Sequence, residues 1–234
     1  MRWILLTLAA ALACAPVLAH DDGLANDNGK TDDRLNNAAT LFSEVMGTPD
    51  RTIPQGLLNK AYCVVLVPGL KKAAVIVGGK YGRGYAVCRA AGGEGWGPPA
   101  AIRIEGGSVG LQAGYSSSDV VLLIMNAGGM KRLAKSKFTI GAEATAAAGP
   151  VGRDATAQTD GFVTAEILSW SRSHGLFGGV SVDGATLRND IDENEAIYGQ
   201  RWTSKDILTS GAKPIAAADK LLLVLSKYSP RRAG

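Results

Sequence analysis

Short runs of β-branched and other apolar residues, each ended by glycine or proline, dominate the middle of the chain. Three such runs are Tyr62–Val67, Ala73–Val77 and Tyr85–Cys88, and they are separated by Pro68-Gly69 and by the glycine-rich stretch Gly78–Gly84. β-branched residues favour strands, whereas glycine and proline favour turns. The pattern therefore predicts a sheet of short strands, with a glycine-rich hairpin at Gly78–Gly84.

Helical patterns flank this middle region at both ends. Apolar residues at helical spacing predict a helix from Thr31 or Asp32 to Met46, and a second helix from Pro214, whose stretch Leu221–Leu225 is expected to be buried. We therefore expect an α+β fold: a single domain over residues 31–228, with a largely antiparallel β-sheet or barrel-like core and helices at the N- and C-terminal ends. Residues 229–234 form a short basic tail.

The first residues have the pattern of an export signal. Residues 1–19 combine Arg2, an apolar stretch and small residues before a cleavage site, which predicts a signal peptide followed by a disordered leader over residues 20–30. An alternative is a lipoprotein signal with Cys14 as the acylated residue. Either way the protein is expected to be exported, and periplasmic or peripheral to the cell-envelope membrane.

Cys63 and Cys88 remain after cleavage, each within an apolar run. In an oxidising compartment such a pair often forms a disulfide, although two buried free thiols are an equal alternative. Two cysteines and two histidines make no convincing zinc site, and no metal or other cofactor is expected. The net charge of +4 does not indicate a nucleic-acid partner.

One serine motif has to be weighed for catalysis. Gly106–Gly110 matches G-x-S-x-G, in which Ser108 would be the nucleophile of a hydrolase, with His174 as the candidate base. That motif requires a helix after the serine, whereas the residues that follow alternate as in a strand. A serine hydrolase is therefore the less favoured interpretation, and no catalytic residue is predicted.

Basic residues accompany the glycine-rich stretch. Lys80 and Arg83 lie within it, Arg89 follows it, and Lys71-Lys72 precede it by one strand. The order of residues is not that of a phosphate-binding loop, because no serine or threonine follows Lys80. The cations suit phosphorylated headgroups, although ordinary solvated surface is the alternative.

A long series of motifs in fixed order resembles the SYLF domain, a lipid-binding module also described as the yeast actin-patch domain. The resemblance covers about residues 35–198. The motifs, all present in this order, are Pro54-x-x-Leu57-Leu58-x-Lys60-Ala61-x-Cys63-Val64-x-x-x-Pro68, Lys71-Lys72-Ala73, Gly78-Gly79-x-Tyr81-Gly82-x-Gly84, Cys88-Arg89, Trp96-x-x-Pro99-Ala100, Gly107-Ser108-Val109-Gly110-x-Gln112, Asp119-Val120-Val121-Leu122-Leu123, Met125-Asn126, Lys137-Phe138, Ala148-Gly149-Pro150-Val151-Gly152-Arg153 and Ser171-Arg172-Ser173-x-Gly175-Leu176-Phe177-Gly178-Gly179-Val180.

The resemblance implies a non-catalytic domain that binds phosphoinositides or other anionic lipids. Eukaryotic members use an N-terminal amphipathic segment, but the matching helix here carries Asp32, Asp33 and Glu44 against Arg34 alone, so an anionic bilayer should repel it. As an exported protein of bacterial type it is expected to meet no actin. A structural or scaffold protein of the envelope that binds another protein is the alternative. The candidate lipid contacts are Lys71, Lys72, Lys80, Arg83, Arg89 and Arg153.

Overall fold

The computed structural model describes residues 23–48, 52–74, 77–109, 114–152, 164–173, 176–209 and 212–232. The helices are α1 (Gly23–Gly47), α2 (Gln55–Lys60), α3 (Ala127–Leu133), α4 (Ile191–Tyr198), α5 (Ser204–Thr209) and α6 (Asp219–Tyr228), the last preceded by a 3-10 turn, Ala216–Ala218. The strands are β1 (Cys63–Ala74), β2 (Val77–Cys88), β3 (Ala100–Val109), β4 (Gly114–Ile124), β5 (Lys137–Thr139), β6 (Ala146–Ala148), β7 (Ile167–Ser173), β8 (Leu176–Gly179) and β9 (Thr186–Asn189).

Within the described residues, nine strands form one sheet. Its order is β5-β9-β3-β2-β1-β4-β7-β6, with β8 paired to β7. Every pairing is antiparallel except that between β6 and β7. The predicted fold class is confirmed: a single α+β domain with a curled, mostly antiparallel sheet and helices at both ends.

One face of the sheet is covered by α1 and α6. Alternate residues of the central strands point to this side, and they pack with apolar residues of both helices in one core. The buried members from the central strands include Val64, Leu66, Tyr85, Val87, Val121 and Leu123; those from the helices include Leu35, Phe42, Leu221 and Leu225. We call this side of the sheet the helical face.

In each central strand, the residues that alternate with those of the helical face point to the opposite face of the sheet and form a second core. Its buried members include Val65, Val67, Ile102, Ile104, Leu122 and Ile124, which pack against Leu133, Phe138, Ile140 and Leu187. Because the sheet curls around these residues, both of its faces are buried from solvent over the central strands. Burial on both faces explains why the last part of β4, Val120–Ile124, is apolar without alternation.

Two predicted breaks in the sheet are absent. Strand β1 continues through Pro68-Gly69, where a register shift marks a bulge and Gly69 has φ +62°. The glycine-rich stretch Gly78–Gly84 is the body of β2 and not a hairpin. Two of its glycines are required by close approach: a Cβ on Gly84 would lie 2.0 Å from the Leu66 carbonyl oxygen, and one on Gly82 would lie 2.8 Å from Val67 Cγ1.

Other element boundaries also differ from the predictions. Helix α1 begins at Gly23, so the predicted start at Thr31 is too late, and the helix extends into the segment expected to be a leader. The predicted signal peptide and residues 20–22 lie outside the described residues. The C-terminal helix is amphipathic, because Leu221 and Leu225 are buried whereas Leu223 is 69% exposed.

A disulfide joins Cys63 and Cys88, which are cross-strand partners in β1 and β2. The bond lies at the end of the strand pair that is far from Ala74 and Val77. In the part of the chain that the structure describes, no helix is long and apolar enough to span a membrane.

Candidate functional site

Lys71, Lys72 and Lys80 lie together at the end of the β1–β2 pair. Lys72 is directly opposite Lys80, and Lys71 is opposite Tyr81. The bulge at Pro68-Gly69 produces this arrangement: it shifts the alternation of β1 by one residue, so that Lys72 shares a face with Lys80 while Lys71 points to the helical face.

Two exposed tyrosines accompany these lysines. Tyr81 follows Lys80 on β2 and is 45% exposed, whereas Tyr115 on β4 lies opposite Ala73 and is 67% exposed. We name the five residues Lys71, Lys72, Lys80, Tyr81 and Tyr115 the basic sheet end. The tyrosines were not among the predicted contacts. The signal that could have found them is the alternation of the strands, which places them outward once the register is known.

Within the described part of the chain, the lysines of the basic sheet end form no ion pair with a carboxylate. Among the described residues no carboxylate oxygen lies within 4.0 Å of their ammonium groups. Lys80 Nζ donates to the Asp183 carbonyl oxygen at 3.3 Å. Partial burial, and then the charge of Lys72, lower the pKa of Lys80, although Asp183 acts in the opposite direction. Like charges directly opposite one another across two strands repel.

Arg83 is held in a different place, by buried carboxylates. Its guanidinium binds Asp190 in a bidentate manner, with Nε–Oδ2 at 2.5 Å and Nη2–Oδ1 at 3.0 Å. The neighbouring Glu193 accepts a hydrogen bond from the Tyr85 hydroxyl at 2.8 Å and forms an ion pair with Arg34 of α1. The hydrogen bond with Asp190 raises the pKa of Arg83 above its usual value. This network links α1, β2 and α4, and it gives Arg83 a structural role.

Arg89 lies at the opposite end of β2 from the lysines. It lies nine positions along the chain from Lys80, which corresponds to about 30 Å in an extended strand. Its guanidinium donates to the carbonyl oxygens of Leu58, Ala61 and Ser229 and to the Ser229 hydroxyl. It therefore ties α2 and the C-terminal segment to the end of β2. The structure does not bring Arg83 and Arg89 to the three lysines, and Arg153 lies outside the described residues.

Helix α1 does not present a basic surface. Asp32 and Asp33 are exposed, whereas Arg34 turns inward to Glu193. Glu44 pairs with Arg172 of β7, which also binds Asp119 at 2.7 Å. Lys30 is exposed as well, so the exposed charges of the described part of α1 are Lys30 against Asp32, Asp33 and Glu44, and their sum is negative, as expected from the sequence.

Ser108 lies within strand β3, in register with Gly78 of β2. A serine nucleophile of the G-x-S-x-G type lies instead on a tight turn between a strand and a helix. His174 is outside the described residues. Over the described part of the chain, no group of three histidine, cysteine or carboxylate residues could hold a metal ion.

A curled, mostly antiparallel sheet, covered by helices and ending in the exposed basic sheet end, defines a compact α+β domain. Residues 105–228 match the family model described as "Ysc84: Las17-binding protein actin regulator". The chain belongs to this Ysc84 family, whose domain is the SYLF domain.

Relatives of the chain include fungal and animal proteins. LAS seventeen-binding protein 3 of Saccharomyces cerevisiae is 31% identical over 199 residues, which cover 82% of this chain and 43% of the relative. Protein YSC84 of the same yeast is 33% identical over 187 residues (78% and 39%). SH3 domain-containing YSC84-like protein 1 of Homo sapiens is 30% identical over 193 residues (81% and 56%). The chain thus spans about half or less of the length of these relatives, one of which, LAS seventeen-binding protein 3, is named as a binding protein.

Proposed function

We propose that this chain is a non-catalytic domain that binds anionic lipid at a membrane surface through the basic sheet end. The observation that carries the proposal is the placement of Lys72 directly opposite Lys80, with Lys71 next to Lys72 in β1 but on the other face of the sheet, and with no described carboxylate within ion-pairing distance. An anionic headgroup would relieve the repulsion between these lysines. The lipid-binding character implied by the SYLF resemblance supports the same function.

The composition of the basic sheet end suits a membrane surface. Each lysine near an anionic leaflet contributes about 1 kcal/mol of attraction. Tyrosine is favoured at the membrane–water interface because its ring is apolar and its hydroxyl polar. Tyr81 and Tyr115 are exposed beside the lysines. The proposed contact therefore combines charge with interfacial aromatic groups.

We place this function in the cell envelope of the producing organism. The pattern of residues 1–19 predicts export, and the disulfide between Cys63 and Cys88 is typical of an oxidising compartment. The proposal therefore includes a periplasmic or envelope-peripheral location, with acylation at Cys14 as the alternative means of attachment. It includes no cofactor, no nucleic acid and no actin.

Sedimentation with vesicles tests the lipid contact. The wild-type chain should co-sediment with vesicles that contain phosphatidylserine or phosphatidylglycerol, should bind weakly to pure phosphatidylcholine, and should lose affinity as salt is raised. The double variant Lys71→Glu/Lys72→Glu should lose most of this binding. The matched control is Lys131→Glu/Lys135→Glu, which makes the same charge change at exposed lysines near the other end of the sheet. Equal losses in the two variants, or no binding by the wild type, would overturn the proposal.

A protein partner is the second candidate, and the relatives' names favour it. The family model and one yeast relative are described as Las17-binding. Under this alternative the chain would be a scaffold that binds one protein at a fixed ratio and ignores vesicles of every composition. A cross-linked complex of defined stoichiometry from envelope extracts, together with a negative vesicle assay, would support the scaffold over the lipid binder.

A further inference from the structure

A cavity of about 900 Å³ lies at the end of the sheet opposite the lysines. It is partly open to solvent and is lined by the loop after β2, by α3 and α5, and by the C-terminal segment. Its volume is typical of pockets that hold small organic ligands. Its walls are mainly apolar; they include Tyr62, Trp96, Pro98, Met130, Ile207 and Leu208.

Two arginine side chains also line this cavity. The Arg89 guanidinium lies 3.8 Å from the centre of the Trp96 ring, and that of Arg232 lies 4.2 Å from the centre of the Tyr62 ring. Within the described residues neither arginine has a carboxylate within 4.0 Å. Burial, and then the charge of Arg232, lower the pKa of Arg89 to about 10. The cavity thus holds an unbalanced positive charge in apolar surroundings.

The two arginines differ in how much of their hydrogen-bonding capacity is used. The Arg89 guanidinium donates four hydrogen bonds to Leu58, Ala61 and Ser229. The Arg232 guanidinium donates none to the described residues, and its backbone N–H alone is bound, to the Gly93 carbonyl oxygen at 2.8 Å. Arg232 therefore has free N–H groups with which to bind an anion, while Arg89 adds a fixed positive charge.

The neighbouring Arg231 shows that this arrangement is specific to Arg232. Arg231 pairs with Glu94 at 3.5 Å, with both side chains 76% exposed, and it does not line the cavity. Two adjacent arginines of the C-terminal segment thus have different surroundings. One forms a solvated surface ion pair, and the other stacks on an aromatic ring at the wall of an apolar cavity.

We propose that this cavity binds a single-chain amphipathic anion: an alkyl chain that ends in one anionic group, such as a fatty-acid carboxylate. The alkyl chain would pack against the apolar walls, and the carboxylate would accept hydrogen bonds from Arg232 in the field of Arg89. Charge-assisted hydrogen bonds of this kind are stronger than those between neutral groups. The site is at the opposite end of the sheet from the proposed membrane contact and does not depend on it.

Calorimetric titration with decanoate, kept below its micelle concentration, tests the site directly. The wild-type chain should bind one decanoate per chain, whereas decanol and acetate should each bind at least about tenfold more weakly, because each lacks one of the two recognised parts. Arg232→Ala should weaken decanoate binding about tenfold, and Arg231→Ala should leave it unchanged. No binding by the wild type, or equal effects of the two arginine variants, would overturn the proposal.

A second pair of variants tests the location without removing charge. Ala91 is exposed and lines the cavity, so Ala91→Trp should obstruct it and reduce decanoate affinity, whereas Ala127→Trp, at an exposed alanine that does not line it, should not. Thermal melting should confirm that both variants fold. Unchanged affinity in a folded Ala91→Trp protein would contradict the assignment.

Vesicle binding and decanoate binding should also be lost independently of each other. Arg232→Ala should still sediment with anionic vesicles, and Lys71→Glu/Lys72→Glu should still bind decanoate. If the lysine variant lost decanoate binding as well, the ligand would be recognised at the basic sheet end, and the cavity assignment would be wrong.

Discussion

Gly84 lies against the backbone of β1 where the bulge brings the two strands together. A methyl group at this position would be 2.0 Å from the Leu66 carbonyl oxygen, which belongs to backbone and has little freedom to move. The Gly84→Ala substitution should therefore destabilise the domain by about 3 kcal/mol, at the upper end of overpacking effects. Gly79→Ala is the matched control on the same strand, because nothing lies within 4 Å of its Cβ. Denaturant unfolding of the two variants measures the difference, and similar midpoints would contradict this explanation of the glycine-rich sequence.

Asp190 offers a second test at the residue scale. It is 1% exposed and receives two hydrogen bonds from Arg83. Removing the carboxylate in Asp190→Ala should lower the free energy of unfolding by about 2–3 kcal/mol. This is somewhat less than for a fully buried pair, because the Arg83 side chain is 32% exposed. Asp192→Ala removes a carboxylate that is 75% exposed in its pair with Arg201, and it should cost less than about 0.5 kcal/mol. Comparable unfolding free energies in both variants would show that Arg83 is not a structural residue.

Among the elements, the β1–β2 pair carries both the disulfide and the basic sheet end. The bond between Cys63 and Cys88 closes a segment with a sequence separation of 25 residues. Because the bond restricts the conformations of the unfolded chain, it should add about 3 kcal/mol to the free energy of unfolding. Reduction should lower the free energy of unfolding by that amount, and the double variant Cys63→Ser/Cys88→Ser should be insensitive to reductant. An unfolding curve of the wild type that does not change on reduction would contradict a stabilising bond.

The same two strands show how far the sequence predicts the fold. Apolar runs and helical spacing correctly predict strands in the middle and helices at both ends, because these patterns are local. The bulge at Pro68-Gly69 and the glycines of β2 have the composition of turns. Their actual role depends on the close approach of strands β1 and β2, which local sequence preferences do not reveal.

The candidate site was predictable to a similar degree. Lys71, Lys72 and Lys80 lie near each other in sequence, on two consecutive strands that pair with each other, so their proximity follows from local pairing. The partner of Arg83 is Asp190, which is 107 residues away, and Arg89 binds Ser229, 140 residues away. A single sequence does not reveal which distant residue neutralises or binds a given arginine, and for that reason the six predicted contacts included side chains with structural roles.

At the scale of the whole molecule, the two ends of the sheet differ in chemistry. One end exposes lysines and tyrosines, and the other holds an apolar cavity with two arginines. The acidic residues Asp32 and Asp33 of α1 are exposed on the helical face. We therefore expect the domain to approach an anionic bilayer with its basic sheet end forward and α1 held away from the surface.

Quenching of tryptophan fluorescence by brominated lipids tests this orientation most directly. Tyr115→Trp introduces an indole at the basic sheet end, and Leu223→Trp introduces one on α6 at a side chain that is 69% exposed. Because both variants keep the native tryptophans, any difference between them reports on the introduced ring. We predict strong quenching of Tyr115→Trp by anionic brominated vesicles and little additional quenching of Leu223→Trp. Stronger quenching of Leu223→Trp, or no additional quenching of either variant on bound vesicles, would contradict it.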